Sequence, residues 1–271
     1  NRIIQKANCR CVITEKTDFS KDFTACNNNV NCTPDDIAYI IFTSGSTGEP
    51  KGVVIRHSAA INTVLDMNKR YHVTDEDVLA CVSSIGFDLS IYDIFSCFTT
   101  GAELALIPDV YDVEAMVSIL SDRGVTVWNS VPAIFRIVVD YLSKNEEGDD
   151  SYFGDFISEG EETLNYILSL RLVMLSGDWI SKNVTAKAMK LFTDCRMVSL
   201  GGATEASIWS IYYNINQIDP KWDSIPYGYP LSNQKIYILD NRSEIAPIGA
   251  KGEICIGGAG VAEGYFNDPQ K

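Results

Sequence analysis

Short apolar runs alternate with segments whose apolar residues recur at helical spacing along most of the chain. The runs at residues 38–43, 53–55, 78–82, 103–107, 125–129, 172–176 and 196–200 predict strands. Between them, His57–Ala60 opens a helix with Ser58 as a cap. Residues 90–99 place Ile91, Ile94, Phe95 and Phe98 on one helical face, and 113–121, 133–142 and 184–192 follow the same period. Strand–helix alternation predicts an α/β fold, with mostly parallel sheets flanked by helices. Residues 7–14 are expected to form a further short strand, 20–36 a polar loop and 144–152 an acidic surface loop. After Pro226 the texture changes to short strands at 235–240 and 252–258 between Gly/Pro turns. The expected division is an α/β core over residues 1–225 and the start of a small β-rich subdomain over 226–271.

The chain has 271 residues, 46% hydrophobic and 21% charged, with a net charge of −14. This is enough for one or two globular units. The acidity argues against a nucleic-acid partner, which needs a Lys/Arg face to neutralise phosphates. No apolar run reaches the roughly 18 residues of a membrane span. The eight cysteines are scattered without a CxxC pair, so they are expected to be buried thiols rather than metal ligands or disulfides. The start, Asn1-Arg2-Ile3-Ile4, carries no signal-peptide pattern. A piece of a longer, cytoplasmic protein is expected.

The residues richest in chemistry are 43–52, Thr-Ser-Gly-Ser-Thr-Gly-Glu-Pro-Lys-Gly, directly after a buried strand. Three glycines let the backbone approach a ligand closely. Thr43, Ser44, Ser46 and Thr47, with the backbone N–H groups of Gly45 and Gly48, suit a polyphosphate, and Lys51 adds charge. The spacing is not that of a Walker A loop, because Lys51 follows Pro50 and precedes Gly52. The plain alternative is a solubilising hairpin turn.

Preceded by Tyr39-Ile40-Ile41-Phe42, this segment resembles the phosphate loop of the adenylate-forming enzymes: acyl-CoA synthetases, luciferases and the adenylation domains of nonribosomal peptide synthetases. Three more segments resemble that family in order. Phe87-Asp88-Leu89-Ser90 is similar to its FDxS motif, Gly202-Ala203-Thr204-Glu205 to GPTE, and residues 252–265 to GELxIxGxGxAxGY. The resemblance covers nearly the whole chain.

The resemblance implies ATP and Mg²⁺ as cofactors. Thr43, Ser44, Gly45, Ser46, Thr47, Gly48 and Lys51 would hold the outgoing phosphates, with Gly201, Gly202 and Ala203 also lining the nucleotide site. Thr204 would contact the α-phosphate and Glu205 would hold the metal; the alternative for Glu205 is a helix cap. Gly201 stands where the family carries an adenine-stacking aromatic, and Ala203 where it carries proline; Tyr229 is a neighbour able to substitute for the aromatic. Asp88 would pair with the α-ammonium of an amino-acid substrate, which a fatty-acid or aryl-acid ligase does not need; its alternative is capping the helix that follows. The side-chain pocket would be Leu89, Tyr92, Asn129, Met174, Ser176, Leu200, Ile208 and Trp209, with Tyr92, Asn129 and Ser176 offering hydrogen bonds. Each is also a credible core residue. The set resembles cysteine-activating domains, with serine or another small residue as the other substrate.

The expected reaction is adenylation of an amino acid, followed by transfer to a phosphopantetheine thiol. The implied partners are peptidyl carrier and condensation domains of a larger synthetase. Adenylation needs no general base, so His57 and His72 are expected to be structural. No GxSxG or HExxH motif supports a hydrolase. The family's ribose-binding TGD motif and its small C-terminal domain with the catalytic lysine do not occur in these residues, so the segment alone is expected to bind ATP weakly and adenylate poorly. Two other classes stay open: an acyl-CoA or aryl-acid ligase of the same fold, and a non-catalytic module.

Overall fold

The computed structural model describes residues 2–9, 11–14, 16–17, 31–44, 49–147 and 169–268. Five of the apolar runs become β3 (Val78–Cys81), β4 (Glu103–Leu106), β5 (Val127–Ser130), β6 (Leu172–Leu175) and β7 (Arg196–Gly201). They pair in parallel in the order β4-β3-β5-β6-β7. Two short strands, β8 (Ile211–Asn214) and β9 (Tyr229–Pro230), extend this sheet antiparallel. Every residue of β5 and β6 is buried, as expected where a parallel sheet is covered on both faces.

Successive side chains on a strand point to opposite faces, and here they feed two cores. Trp128, Val173, Leu175 and Met197 join Met116, Phe135 and Phe192 on one face. That face is covered by α4 (Val113–Asp122), α5 (Pro132–Glu147) and α6 (Lys182–Leu191). Val127, Leu172, Met174 and Val198 join Met67, Tyr92 and Trp209 on the other, beneath α2 (His57–Tyr71) and α3 (Leu89–Thr100). Asp112 caps α4 by accepting from Ala115 N–H at 3.0 Å, and Pro132 takes the first position of α5, where its missing N–H costs nothing.

β1 (Ile37–Ser44) and β2 (Pro50–Arg56) form an antiparallel pair. The final short strand β12 (Gly264–Tyr265) adds to the far edge of β2. β10 (Gln234–Leu239) and β11 (Glu253–Gly258) make a separate antiparallel pair.

A polar brace holds the start of the parallel sheet. Asp77 accepts from Arg171 Nε at 2.7 Å, from the Thr126 hydroxyl at 2.7 Å and from Thr74 N–H at 2.9 Å. Arg171 also donates to the carbonyls of Tyr71 and His72 at 3.0 and 2.9 Å, tying the end of α2 to the start of β6.

Several expectations are corrected. Residues 7–14 are not a strand: a helix, α1 (Arg2–Ala7), ends there, and residues 11–14 are exposed without a strand partner. Ser58 does not cap α2, which begins one residue earlier with no side-chain cap bond. Instead the His57 and Ser58 N–H groups donate to the carbonyls of Asp36 and Pro34 at 3.0 and 2.8 Å. β5 starts two residues later than expected, because Val125 N–H closes the turn after α4 on Leu120 O. Residues 144–147 continue α5, while 148–152 lie outside the described residues, as do 20–30. The seven described cysteines are free thiols but none is fully buried; Cys9, Cys11 and Cys32 are exposed.

Candidate active site

Among the described residues, Lys51, Tyr265, Glu205, Thr204 and Asp88 are linked in a chain of neighbours that joins β2 and β12 to the turn after β7 and the start of α3. Thr43 pairs across from Lys51 and Ser44 across from Pro50 at the mouth of the β1–β2 pair. Gly45, Ser46, Thr47 and Gly48 lie outside the described residues. The Lys51 ammonium stands 5.6 Å from the centroid of the Tyr265 ring. The Tyr265 hydroxyl donates to Glu205 Oε1 at 2.7 Å. That bond, which disfavours losing the phenol proton beside a carboxylate, raises the Tyr265 pKa.

Glu205 sits in a 3₁₀ turn, Thr204–Ala206, just after β7, so it does not cap an α-helix. Gly202 must be glycine: a Cβ there would stand 2.8 Å from Ser210 N and 3.0 Å from Trp209 Cα. Ala203 has φ −118°, outside the narrow range near −65° that proline imposes. At Gly201 a Cβ would meet the tip of the Tyr227 ring at 3.0 Å. Ile211 Cδ1 is equally close at 3.0 Å, and Tyr229 packs against Tyr212 with centroids 6.4 Å apart.

Asp88 is buried, 4% exposed. It occupies the cap position of α3 with helical dihedrals; it makes no side-chain cap bond into the next turn, and its carboxylate instead accepts from its own N–H and from Leu89 N–H. Burial raises its pKa, the Thr204 side-chain hydrogen bond opposes this, and the Glu205 charge adds to the rise. Tyr39 faces the same carboxylate; burial, then the Asp88 charge, raises its pKa, and its buried hydroxyl has no partner.

The eight pocket residues are all buried. Leu89, Tyr92, Met174, Leu200, Ile208 and Trp209 share one core cluster, and the Tyr92 and Trp209 rings lie 4.9 Å apart. Trp209 Nε1–H donates to Ser176 Oγ at 2.9 Å. Asn129 Nδ2 donates to the Leu89 carbonyl at 3.2 Å and to Asp93 Oδ1 at 2.8 Å. Tyr92 offers its proton elsewhere than expected: its hydroxyl donates to Asn68 Oδ1 at 3.0 Å on the facing helix, which the buried Ser96 hydroxyl also reaches at 2.7 Å.

The segment that aims Ile208 and Trp209 is strained. Ser207 has φ 60° and Ile208 φ 69°, a left-handed conformation unusual for a β-branched residue. Buried bonds hold it there: Thr63 Oγ1 to the Ser207 carbonyl at 2.9 Å and Ser207 Oγ to the Gly260 carbonyl at 2.7 Å.

Two residues of the site were not singled out by sequence. Tyr265 ends the GY motif, so its signal was present but without a role. Asp93 lay unmarked inside the α3 pattern. His57 opens α2, and His72 ends it in a left-handed turn with φ 53°.

The donor set fits magnesium in one way. Among the described residues no group of three or more His, Cys, Asp or Glu side chains gathers to cage a metal. A magnesium ion commonly takes one carboxylate and completes its shell with phosphate oxygens and water; Glu205 can supply that carboxylate. No helix among the described residues is long and apolar enough to cross a membrane.

Comparison with known proteins agrees with this geometry. Bacitracin synthase 1 of Bacillus licheniformis is 47% identical over 237 residues, covering 88% of this chain and 4% of that protein. Pyochelin synthetase PchF of Pseudomonas aeruginosa is 40% identical over 240 residues, covering 88% of this chain and 12% of its own length. The chain thus spans a small part of these relatives. Among solved structures, the nonribosomal peptide synthetase FmoA3 in its AMPPNP-bound form superposes with a TM-score of 0.76 at 36% identity, over 88% of this chain and 24% of that one. Its alpha-methyl-L-serine-AMP form gives 0.75 at the same identity, over 88% and 25%. A family model described as AMP-binding enzyme matches residues 3–266; with the fold shared as well, the chain belongs to the AMP-binding enzyme family.

Proposed function

We propose that this chain is the nucleotide- and substrate-binding part of an amino-acid adenylation domain in a nonribosomal peptide synthetase. The reaction is ATP plus amino acid to aminoacyl-AMP plus pyrophosphate. The observation that carries it is Asp88: a buried carboxylate with no side-chain cap bond, beside Thr204. An amino-acid ammonium would give Asp88 a charge-assisted partner, and the substrate carboxylate would then lie toward Thr204 and Glu205.

That carboxylate is already a nucleophile, so an oxygen lone pair attacks the α-phosphorus and the bond to the bridging oxygen breaks toward pyrophosphate. The chain's part is positioning and charge stabilisation. Lys51 and the hydroxyls from Thr43 to Thr47 hold the leaving phosphates, Thr204 contacts the α-phosphate, and Gly201, Gly202 and Ala203 line the nucleotide. Tyr227 supplies the aromatic face at Gly201. Glu205 would hold a magnesium ion, which would supply neutralisation of phosphate charge. The aminoacyl-AMP would then pass its acyl group to the phosphopantetheine thiol of a carrier domain, the acyl–phosphate bond breaking with release of AMP, and a condensation domain would take up the thioester.

The side-chain pocket suits a small residue with a thiol or hydroxyl, cysteine first. FmoA3, with its bound alpha-methyl-L-serine-AMP, supports a small polar side chain. The free thiols of the described cysteines accord with a reducing cytoplasm.

The test is amino-acid-dependent ATP–pyrophosphate exchange in the complete synthetase module, wild type against Asp88→Ala. Loss of amino-acid-dependent exchange supports the reading. Unchanged exchange removes the ammonium-binding role from Asp88, and a wild type that exchanges with no amino acid but with other carboxylic acids is a ligase of carboxylates without an ammonium group.

A further inference from the structure

Asp93 lies beside Tyr92 on α3 and is fully buried, with 0% exposure. Its Oδ1 accepts from Asn129 Nδ2 at 2.8 Å, while its Oδ2 has no partner among the described residues. The second N–H of the same amide goes to the Leu89 carbonyl, and the amide oxygen, Asn129 Oδ1, also has no partner among the described residues. The acid–amide pair thus makes one hydrogen bond and leaves one buried oxygen on each group unsatisfied.

No ion pair answers the acid among the described residues. The titratable groups that face it are Cys81 from β3, and Cys97 and Tyr92 from its own helix. Burial keeps all three protonated, with the Cys81 and Cys97 thiols each pushed up to about 11. A bare carboxylate here would be a desolvated charge facing neutral groups. A proton on Oδ2 removes the charge, gives Oδ2 something to donate, and gives Asn129 Oδ1 its missing bond. Burial accordingly raises the Asp93 pKa well above the ordinary carboxylate range.

We propose that Asp93 is a neutral carboxylic acid whose Oδ2–H donates to Asn129 Oδ1, closing a two-bond ring that sets which way the Asn129 amide faces in the substrate side-chain pocket. Asp93 acts through Asn129 and is a positioning residue. With both N–H groups committed, Asn129 offers the pocket only the second lone pair of its oxygen, an acceptor suited to a thiol or hydroxyl. This rests on the amino-acid reading of the site.

Two variants separate the possibilities. Asp93→Asn carries no charge but keeps one donor and one acceptor, so it can rebuild the ring with Asn129. Asp93→Leu cannot. In the complete synthetase module, Asp93→Asn is expected to keep the KM for the preferred amino acid within about twofold. Asp93→Leu is expected to raise that KM about tenfold with little change in kcat, the loss of one buried hydrogen-bond set, and to narrow the preference over alanine. If Asp93→Asn matches Asp93→Leu, or Asp93→Leu keeps full preference, the proposal is wrong.

A second readout uses the chain's stability and needs no substrate. A folded-state pKa above the unfolded value of ~4 means that the folded protein keeps a proton the unfolded chain releases. Wild-type stability therefore falls, relative to Asp93→Asn, as pH rises from about 4 toward the folded-state pKa. Parallel pH curves for the two proteins would overturn the neutral acid. If the wild type shows no exchange with any amino acid, the amino-acid reading fails, and the pH curves still decide the ring.

Discussion

The Tyr265 hydroxyl donates to the Glu205 carboxylate at 2.7 Å, joining two motifs that lie 60 residues apart. Because the Lys51 ammonium stands over the same ring, one tyrosine touches both the proposed metal ligand and the proposed phosphate lysine. Tyr265→Phe keeps the ring and removes only the bond to Glu205. Its expected cost is about 1–2 kcal/mol, a hydrogen bond to a charged group at a half-buried site. The check is the magnesium concentration for half-maximal exchange, which should rise about tenfold, while urea titration should show no more than that loss of folding stability.

Asp88 must be ionised to hold an ammonium, and burial raises its pKa. Amino-acid KM should therefore climb as pH falls, beginning above the ordinary aspartate value of ~4. The KM for ATP should not follow that climb. A profile of both constants from pH 5 to 8 measures the difference. Asp88→Asn should lose the pH dependence and bind the amino acid at least about tenfold more weakly at neutral pH.

The Tyr227 ring approaches Gly201. If it stacks on the purine, Tyr227→Ala should weaken binding of a non-hydrolysable ATP analogue about tenfold, within the 1–3 kcal/mol range of base stacking on an aromatic. Tyr227→Phe should bind normally, and Tyr229→Ala should stay within about twofold of wild type. Calorimetry with each variant gives the answer.

Asp77 illustrates the opposite titration behaviour from Asp93. Burial raises its pKa, but hydrogen bonds from Arg171, Thr74 and Thr126 and the Arg171 charge outweigh that and hold it below the usual value. Its stabilisation is present above the unfolded pKa of ~4 and is lost as pH falls through the lower folded-state value. Arg171→Met leaves Asp77 buried without its cation and should cost about 2–4 kcal/mol at neutral pH, somewhat less than breaking a wholly buried pair because Arg171 is half-exposed. Chemical denaturation at pH 7 and pH 3 should show that loss shrinking at the lower pH.

The parallel strands were legible because each is a short apolar run that needs no partner to be recognised, with β5 and β6 buried on both faces. The motif residues were legible because their types and spacing carry chemistry. What escaped depends on contacts between distant parts of the chain. β8 is a four-residue strand defined by pairing with β7. Residues 11–14 look strand-like in composition but find no ladder. The approach of the Tyr227 ring to Gly201 rests on a loop returning 26 residues later, and the sequence offered Tyr229 instead. Asp93 reads as an ordinary polar position on a helix until Asn129, from another strand, is placed against it. Tyr92 was expected to serve the substrate, but the buried Asn68 on α2 claims its hydroxyl.

The pairing of β12 with β2 sets an order of events during synthesis. Gly264 aligns with Val54 and Tyr265 with Val53, so the strand bearing Lys51 gains this neighbour only after nearly all the described chain has been made. The parallel sheet can form earlier from nearer contacts, whereas this late closure joins residues of very large sequence separation and is correspondingly slow. A nascent chain can therefore have a formed core while its Lys51–Tyr265–Glu205 cluster is still unassembled, and nucleotide binding becomes a marker for the last stage of folding.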